Sequence, residues 1–186
     1  MLNIICDDPK RGPTEYQISP LIFSPENLDM FWNKSSKYPT LFNAEIRADF
    51  HKFMEIFASQ DSGGKIFAKG LFWRIDTKEE PMVGVFYMTD IDLPVEATVH
   101  FSFFDGRIRG RIPLAKKMVE YVFNTYQFNR LNAALPVYVV PAAFHFVEGI
   151  GFQKEGRKRR AVEFDNKFFD VVLYGLLKEE VNGSKN

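Results

Sequence analysis

Cysteine is nearly missing from this chain: Cys6 is the single one among 186 residues, which excludes an internal disulfide. Read on its own, Cys6 is a small buried or strand-edge thiol, because no neighbouring base marks it as a nucleophile. Net charge is missing as well, with 24 Lys/Arg against 24 Asp/Glu, and no broad basic face or nucleic-acid-binding module is visible. No apolar run reaches the roughly 20 residues that a membrane-spanning helix needs. The opening Met1-Leu-Asn-Ile-Ile-Cys-Asp-Asp8 lacks a basic n-region and meets acids early, so a secretory leader is not expected and a cytoplasmic setting is. Internal repeats and low-complexity linkers are absent too, and no residue is assigned to a metal.

What is abundant is apolar and aromatic. Hydrophobic residues make up 46% of the chain, 20 of them Phe, enough for one thick core, so residues 1–186 are expected to form a single domain with 1–12 and 179–186 peripheral or frayed. Tyr16–Phe23 alternates like a first strand. Ser24-Pro25-Glu26 supplies an N-cap, a first-turn proline and an early acid for a helix. Ile46, Phe50, Phe53, Met54 and Phe57 recur at helical spacing and predict a second helix over 44–58. Asp61-Ser-Gly-Gly64 is a turn, and strands are expected at 65–75, 82–90 and 96–104. The resulting order β, α, α, β, β, β, α, β, α, β, β belongs to an α/β layered fold.

Charge is unevenly spread. Residues 107–117 carry five Lys/Arg and no acid, and 154–160 carry five with one acid. The second run reads as a solvated strand, balanced by Glu155, Glu163 and Asp165. The first coincides with Arg107-Ile108-Arg109-Gly110-Arg111-Ile112-Pro113, a glycine-containing turn that opens into an amphipathic helix. Gly110 can adopt the positive φ that lets successive N–H groups converge on an anion, and a helix N-terminus adds partial positive charge at the same place. Pro113 suits the first helical turn, where its missing N–H costs nothing.

Further along come Gly151-Phe152, Glu155-Gly-Arg-Lys-Arg159 and Asp170-x-x-x-Tyr174. With Arg107-x-x-Gly110-x-Ile112, these pieces, in this order over about residues 96–177, resemble the GNAT family of acetyl-coenzyme A dependent N-acetyltransferases, particularly its ribosomal-protein N-terminal acetyltransferase branch. The chain is also similar to short acetyltransferase-like proteins of tailed bacteriophages. The resemblance implies an α/β GNAT fold, a mixed central sheet flanked by helices whose fourth and fifth strands, here Glu96–Phe104 and Arg130–Tyr138, splay apart. Acetyl-coenzyme A is the implied cofactor, its pyrophosphate over the N–H groups of Ile108, Arg109, Gly110, Arg111, Ile112 and Pro113 with Arg107 alongside, and its pantetheine arm near Ser102 and Phe103. Pro136, in the second splayed strand, fits a place where a ladder donor is not needed.

The implied activity is acetyl transfer to a primary amine of a protein or small molecule. The usual polar groups of the family are replaced, however. Val147 stands where many relatives carry a tyrosine acid, Val140 and Ala143 stand where the ribosomal branch has Asn and Ser, and Ile112 replaces a small residue with a branched side chain that would crowd the pyrophosphate. The remaining catalytic candidates are His100, Tyr138 and Tyr174, each of which also reads as an ordinary hydrogen-bonded structural residue. His145, about 200° around the helix from Val147, should face away from the cofactor. A catalytically silent GNAT-fold binding or assembly module is the second reading.

Overall fold

Period-two patterning builds most of the molecule, and a parallel pair in the middle of its sheet sets up the site. The computed structural model describes residues 2–8, 12–39, 41–42, 44–106, 108 and 110–183. Strands β1 (Leu2–Asp8), β2 (Gly12–Pro20), β5 (Leu71–Thr77), β6 (Gly84–Asp92), β7 (Glu96–Phe103), β8 (Arg130–Pro136), β9 (Gln153–Phe164) and β10 (Lys167–Leu177) form one sheet in the order β1-β2-β5-β6-β7-β8-β10-β9. Every neighbouring pair is antiparallel except β7 and β8. Strands β3 (Ala58–Gln60) and β4 (Ile66–Ala68) make a separate hairpin around the Asp61 turn, whose carboxylate accepts from Gly63 and Lys65 N–H.

Several boundaries differ from the sequence expectation for local reasons. The first residues are not a peripheral tail: β1 pairs with β2 along its whole length, and Ile4 and Cys6 are buried. The expected helix 44–58 is two helices, α2 (Ala44–Ala48) and α3 (Phe50–Phe57). Asp49 separates them because its carboxylate caps α3, accepting from His51 N–H (2.8 Å) and Lys52 N–H (3.3 Å) while its own backbone is extended. Helix α1 (Pro25–Ser35) starts as predicted, with Ser24 as N-cap and Pro25 in the first turn. The chain closes with α6 (Lys178–Gly183) after β10.

Two cores lie on opposite faces of the sheet. Helices α4 (Arg111–Tyr126) and α5 (Pro141–Ile150) cover one face, where Leu114, Met118, Val122 and Phe123 pack on Ile75, Phe86, Val99 and Leu131. The other face carries a phenylalanine cluster: Phe31, Phe53 and Phe57 from α1 and α3 meet Phe72, Val85 and Phe104. Its rings approach mostly edge-on or tilted at centroid distances near 5 Å, as for Phe31 with Phe53 and Phe57 (5.1 Å each). The abundance of Phe noted in the sequence is thus largely the filling of one sheet face.

Candidate functional site

The central parallel pair is the origin of the site. Strands β7 and β8 match only at Glu96–Arg130, Ala97–Leu131 and Thr98–Asn132, and then separate. A polar network holds the paired end: Arg130 is ion-paired to Glu155 (2.6 Å) and bonded to Asn132 Oδ1 (2.9 Å), and Asn132 donates to Glu96 (2.9 Å). Past that clamp the strands diverge around a cleft of about 380 Å³ whose lining includes Phe103, Pro136, Val139, Val140, Ala143 and Val147.

Register fixes which backbone groups face the gap. Phe104 N–H donates to Val83 O (2.7 Å), so Ser102, His100 and Thr98 exchange bonds with β6, while Val99, Phe101 and Phe103 turn their N–H and C=O groups toward β8. On the other bank, Val137 N–H donates to Asp170 O (2.9 Å), which leaves Ala134 and Pro136 facing β7. The missing N–H of Pro136 therefore falls in the gap and interrupts no ladder. The strand-edge position expected near Ser102 and Phe103 is accordingly refined: Phe101 and Phe103 present peptide groups, whereas Ser102 gives its own to β6 and is buried.

At the mouth of the gap stands the N-terminus of α4. Gly110 is its N-cap, with φ 59° and ψ 32°, the left-handed conformation anticipated for the turn. A Cβ there would sit 2.8 Å from the Cβ of Cys6, so β1 lies directly beneath the cap. The N–H groups of Gly110, Arg111 and Ile112 precede the helix ladder, which cannot satisfy them. Ile108 N–H, by contrast, is engaged by Asp105 O (3.2 Å) and its side chain is buried, so it is not an anion donor; Pro113 has no N–H. Arg107 and Arg109 lie outside the described residues. Arg111 places its guanidinium over the Phe103 ring (5.3 Å) and donates from Nη2 to Asp105 O, while its buried Nε has no hydrogen-bond partner among the described residues.

Ile112 does not crowd this mouth. Its Cδ1 lies 2.6 Å from where a Cβ on Gly149 would be, so the branched chain is seated in the α4–α5 contact against a glycine that makes room for it.

The catalytic candidates separate into three environments. His100 lines the cleft, stacks flat on Tyr87 (4.4 Å, 8°) and bonds through Nε2 to Thr89 Oγ1 (3.0 Å). Burial lowers its pKa to about 4, against a smaller opposing effect of Asp90, so it is neutral at physiological pH. Tyr138 also lines the cleft, stacked on Phe164 (4.3 Å), with its phenol pushed up first by burial and then by Asp165. Tyr174 is not brought to the cleft lining: it is buried and donates to Glu148 Oε1 (3.0 Å) on α5. His145 is exposed on α5, as its angular position implied. Asp170 serves the hairpin, accepting from Arg160 N–H (2.7 Å) and Arg157 Nε (2.6 Å), which hold its carboxyl below the usual range. Tyr38 and Tyr87 were missed by sequence reading; only the fold carries them to the gap, where the Tyr38 hydroxyl donates to Phe104 O.

A strand pair split beside a helix N-terminus is the arrangement that the motifs predicted, and the sequence itself decides the assignment. A family model of the acetyltransferase (GNAT) domain matches residues 45–173. The chain belongs to the GNAT family. Among solved structures, the GNAT fold of this chain matches a spermidine N-acetyltransferase from Vibrio cholerae in complex with CoA and spermine, with TM-score 0.69 and 14% identity over 90% of this chain and 98% of that one. It also matches a chimera of the Vibrio cholerae enzyme and hSSAT (TM-score 0.68, 16% identity, 90% of this chain and 99% of that one). A dodecameric form of the Vibrio cholerae protein gives TM-score 0.66 at 14% identity, over 92% of this chain and 98% of that one. No curated protein shows significant sequence similarity to the chain. Among the described residues no helix of this GNAT protein is long and apolar enough to cross a membrane, and no His/Cys/Asp/Glu group is arranged to hold a metal.

Proposed function

We propose that this GNAT protein is an acetyl-coenzyme A dependent N-acetyltransferase acting on a primary amine. The observation that carries the reading is the gap between β7 and β8, which leaves the Phe101 and Phe103 peptide groups without a β8 partner on one bank and removes a donor at Pro136 on the other. Acetyl-coenzyme A would supply a thioester, whose C–S bond is exchanged for the C–N bond of an amide while the proton lost by the amine ends on the thiol. The residues present suit that group. Phe101 and Phe103 offer an edge to which an amide-bearing arm can add as a strand would. Gly110, Arg111 and Ile112 N–H groups, with the Nε of Arg111 that no described residue engages, offer donors for a pyrophosphate.

The chain's own contribution is positioning and dehydration more than proton transfer. Val147, Val140 and Ala143 supply no acid in the cleft, and His100 is too weak a base at neutral pH to be charged by an incoming ammonium. Single substitutions His100→Gln, Tyr138→Phe and Tyr174→Phe are each expected to reduce kcat by less than the factor of about 100 to 10,000 that a positioned acid or base supplies. A larger loss at one of them would identify a proton carrier there. Replacing Arg107 or Arg109 by Ala is expected to weaken coenzyme A by roughly 1.5–3 kcal/mol for each charge-assisted hydrogen bond lost, read by calorimetric titration.

The decisive test is amine-dependent thiol release from acetyl-coenzyme A, run beside a calorimetric titration with coenzyme A. Turnover with any amine supports the enzyme and excludes the silent binding module. The module is favoured if coenzyme A binds and no amine in a broad panel releases thiol. Absence of coenzyme A binding refutes the enzyme and leaves the silent module.

A further inference from the structure

The acceptor side of the cleft has its own chemistry, distinct from that of the helix mouth. The gap passes through the sheet. On the face of the phenylalanine cluster it is walled by Tyr38 and Leu41, which follow α1, by Tyr87 and His100, and by Ala134 and Tyr138 beyond them. None of the described lining residues is a carboxylate or a lysine. The carboxylates of Glu45, Glu163 and Asp165 line a different hollow, between α2 and the β9–β10 turn. The imidazole of His100 is neutral, and Tyr87 is held as the neutral phenol by burial.

The floor is aromatic. Phe72, Tyr87 and His100 stack in series with interplanar angles of 8° at both steps and centroid distances of 5.1 and 4.4 Å. Tyr87 has its faces covered by Phe72 and His100, so the row gains from covering an apolar body, and only the outer face of the His100 ring is left to meet an ammonium. Asp90 and Asp165, which act on His100 and Tyr138, stay outside that lining, so a second or third positive charge would lose its hydration without a direct counter-ion. Room is limited as well: about 380 Å³ is near the lower end of ligand pockets, and an acetyl donor's thioester end has to share it. Desolvation on this side favours the uncharged amine, the form that attacks a carbonyl, and so supplies part of what a missing base would do.

We infer that the acceptor is a small primary monoamine with an aromatic or branched apolar body, held against the Tyr87–His100 floor, and not a polyamine. This rests on the N-acetyltransferase reading above. Ala134, exposed on the bank opposite the floor, borders the entry and is the position from which the class of acceptor can be altered without opening the core.

The test compares 2-phenylethylamine, spermidine and a short peptide with a free N-terminus as acceptors at saturating acetyl-coenzyme A, using wild type, Ala134→Trp and Ala134→Glu. The expected wild-type kcat/KM for 2-phenylethylamine exceeds that for spermidine by at least about 100-fold, the consequence of unpaired charge burial. Ala134→Trp should raise the KM for 2-phenylethylamine by about 10-fold or more through loss of space, with coenzyme A affinity within about twofold of wild type. Ala134→Glu should narrow the spermidine disadvantage by about 10-fold, since it provides the absent counter-charge. Preference for spermidine or for the peptide in wild type overturns the inference and leaves the enzyme reading intact, as does Ala134→Trp turning over 2-phenylethylamine with unchanged KM. Coenzyme A binding without turnover of any acceptor overturns the enzyme reading and this inference together.

Discussion

Gly110→Ala is expected to lose about 2–6 kcal/mol of global stability in the absence of any ligand, measured as a shift in the denaturant midpoint. Two costs combine. The residue sits at φ 59°, where an L side chain adds strain of about 1–3 kcal/mol, and its Cβ would meet the Cys6 Cβ at 2.8 Å, an overpacking cost of about 1–3 kcal/mol. The contact is on a strand rather than at the tip of a flexible side chain, so the neighbour yields poorly. Cys6→Gly should cost less in the Gly110→Ala background than in wild type, by the packing part, with the strain left in place. If Gly110→Ala is as stable as wild type and loses only coenzyme A affinity, the glycine serves the anion alone and the β1 contact is incidental. The position of Cys6 under the cap argues against that outcome.

Acidification should expose the second large effect, at His100. The imidazole titrates near 6.5 in the unfolded chain and near 4 in the native protein, where burial disfavours the charged form. Between those values the unfolded state takes up a proton that the native state refuses, so native stability is full above about pH 6.5, declines as pH falls toward 4, and has lost about 3 kcal/mol below that. His100→Gln, which can still reach Thr89, removes the titration. The difference in unfolding free energy between wild type and His100→Gln should therefore change by about 3 kcal/mol between pH 7 and pH 4. Parallel curves over that range would mean that His100 is solvated in the native state, and the apolar floor assigned to the acceptor would lose its support.

Much of the architecture was legible because it depends on local chemistry. Ser24 and Pro25 started α1 wherever the rest of the chain went, Gly110 took the left-handed cap, and alternation along 82–104 produced β6 and β7. The boundaries that moved did so through bonds made at short range but not implied by hydrophobic spacing, as when Asp49 capped α3 and divided one expected helix into two. The strand β1 was missed because seven residues carry little periodic signal, and its stability comes from pairing with β2 and packing under Gly110.

The sequence by itself determined the fold family, the turn before α4 and the replacement of polar groups by Val140, Ala143 and Val147, since each is a matter of residue type at a fixed spacing. What only tertiary structure decided is where side chains point across the sheet. Ile112 could be placed against Gly149 and away from the cofactor mouth only once α4 and α5 were packed together. Tyr174 is turned from the cleft lining toward Glu148, and Tyr38 and Tyr87 reach the cleft through contacts across many intervening residues. A linear pattern specifies local conformation and the burial of a face. The separation of β7 from β8, and the apolar acceptor wall that follows from it, depends on which strands become neighbours and on where their register ends.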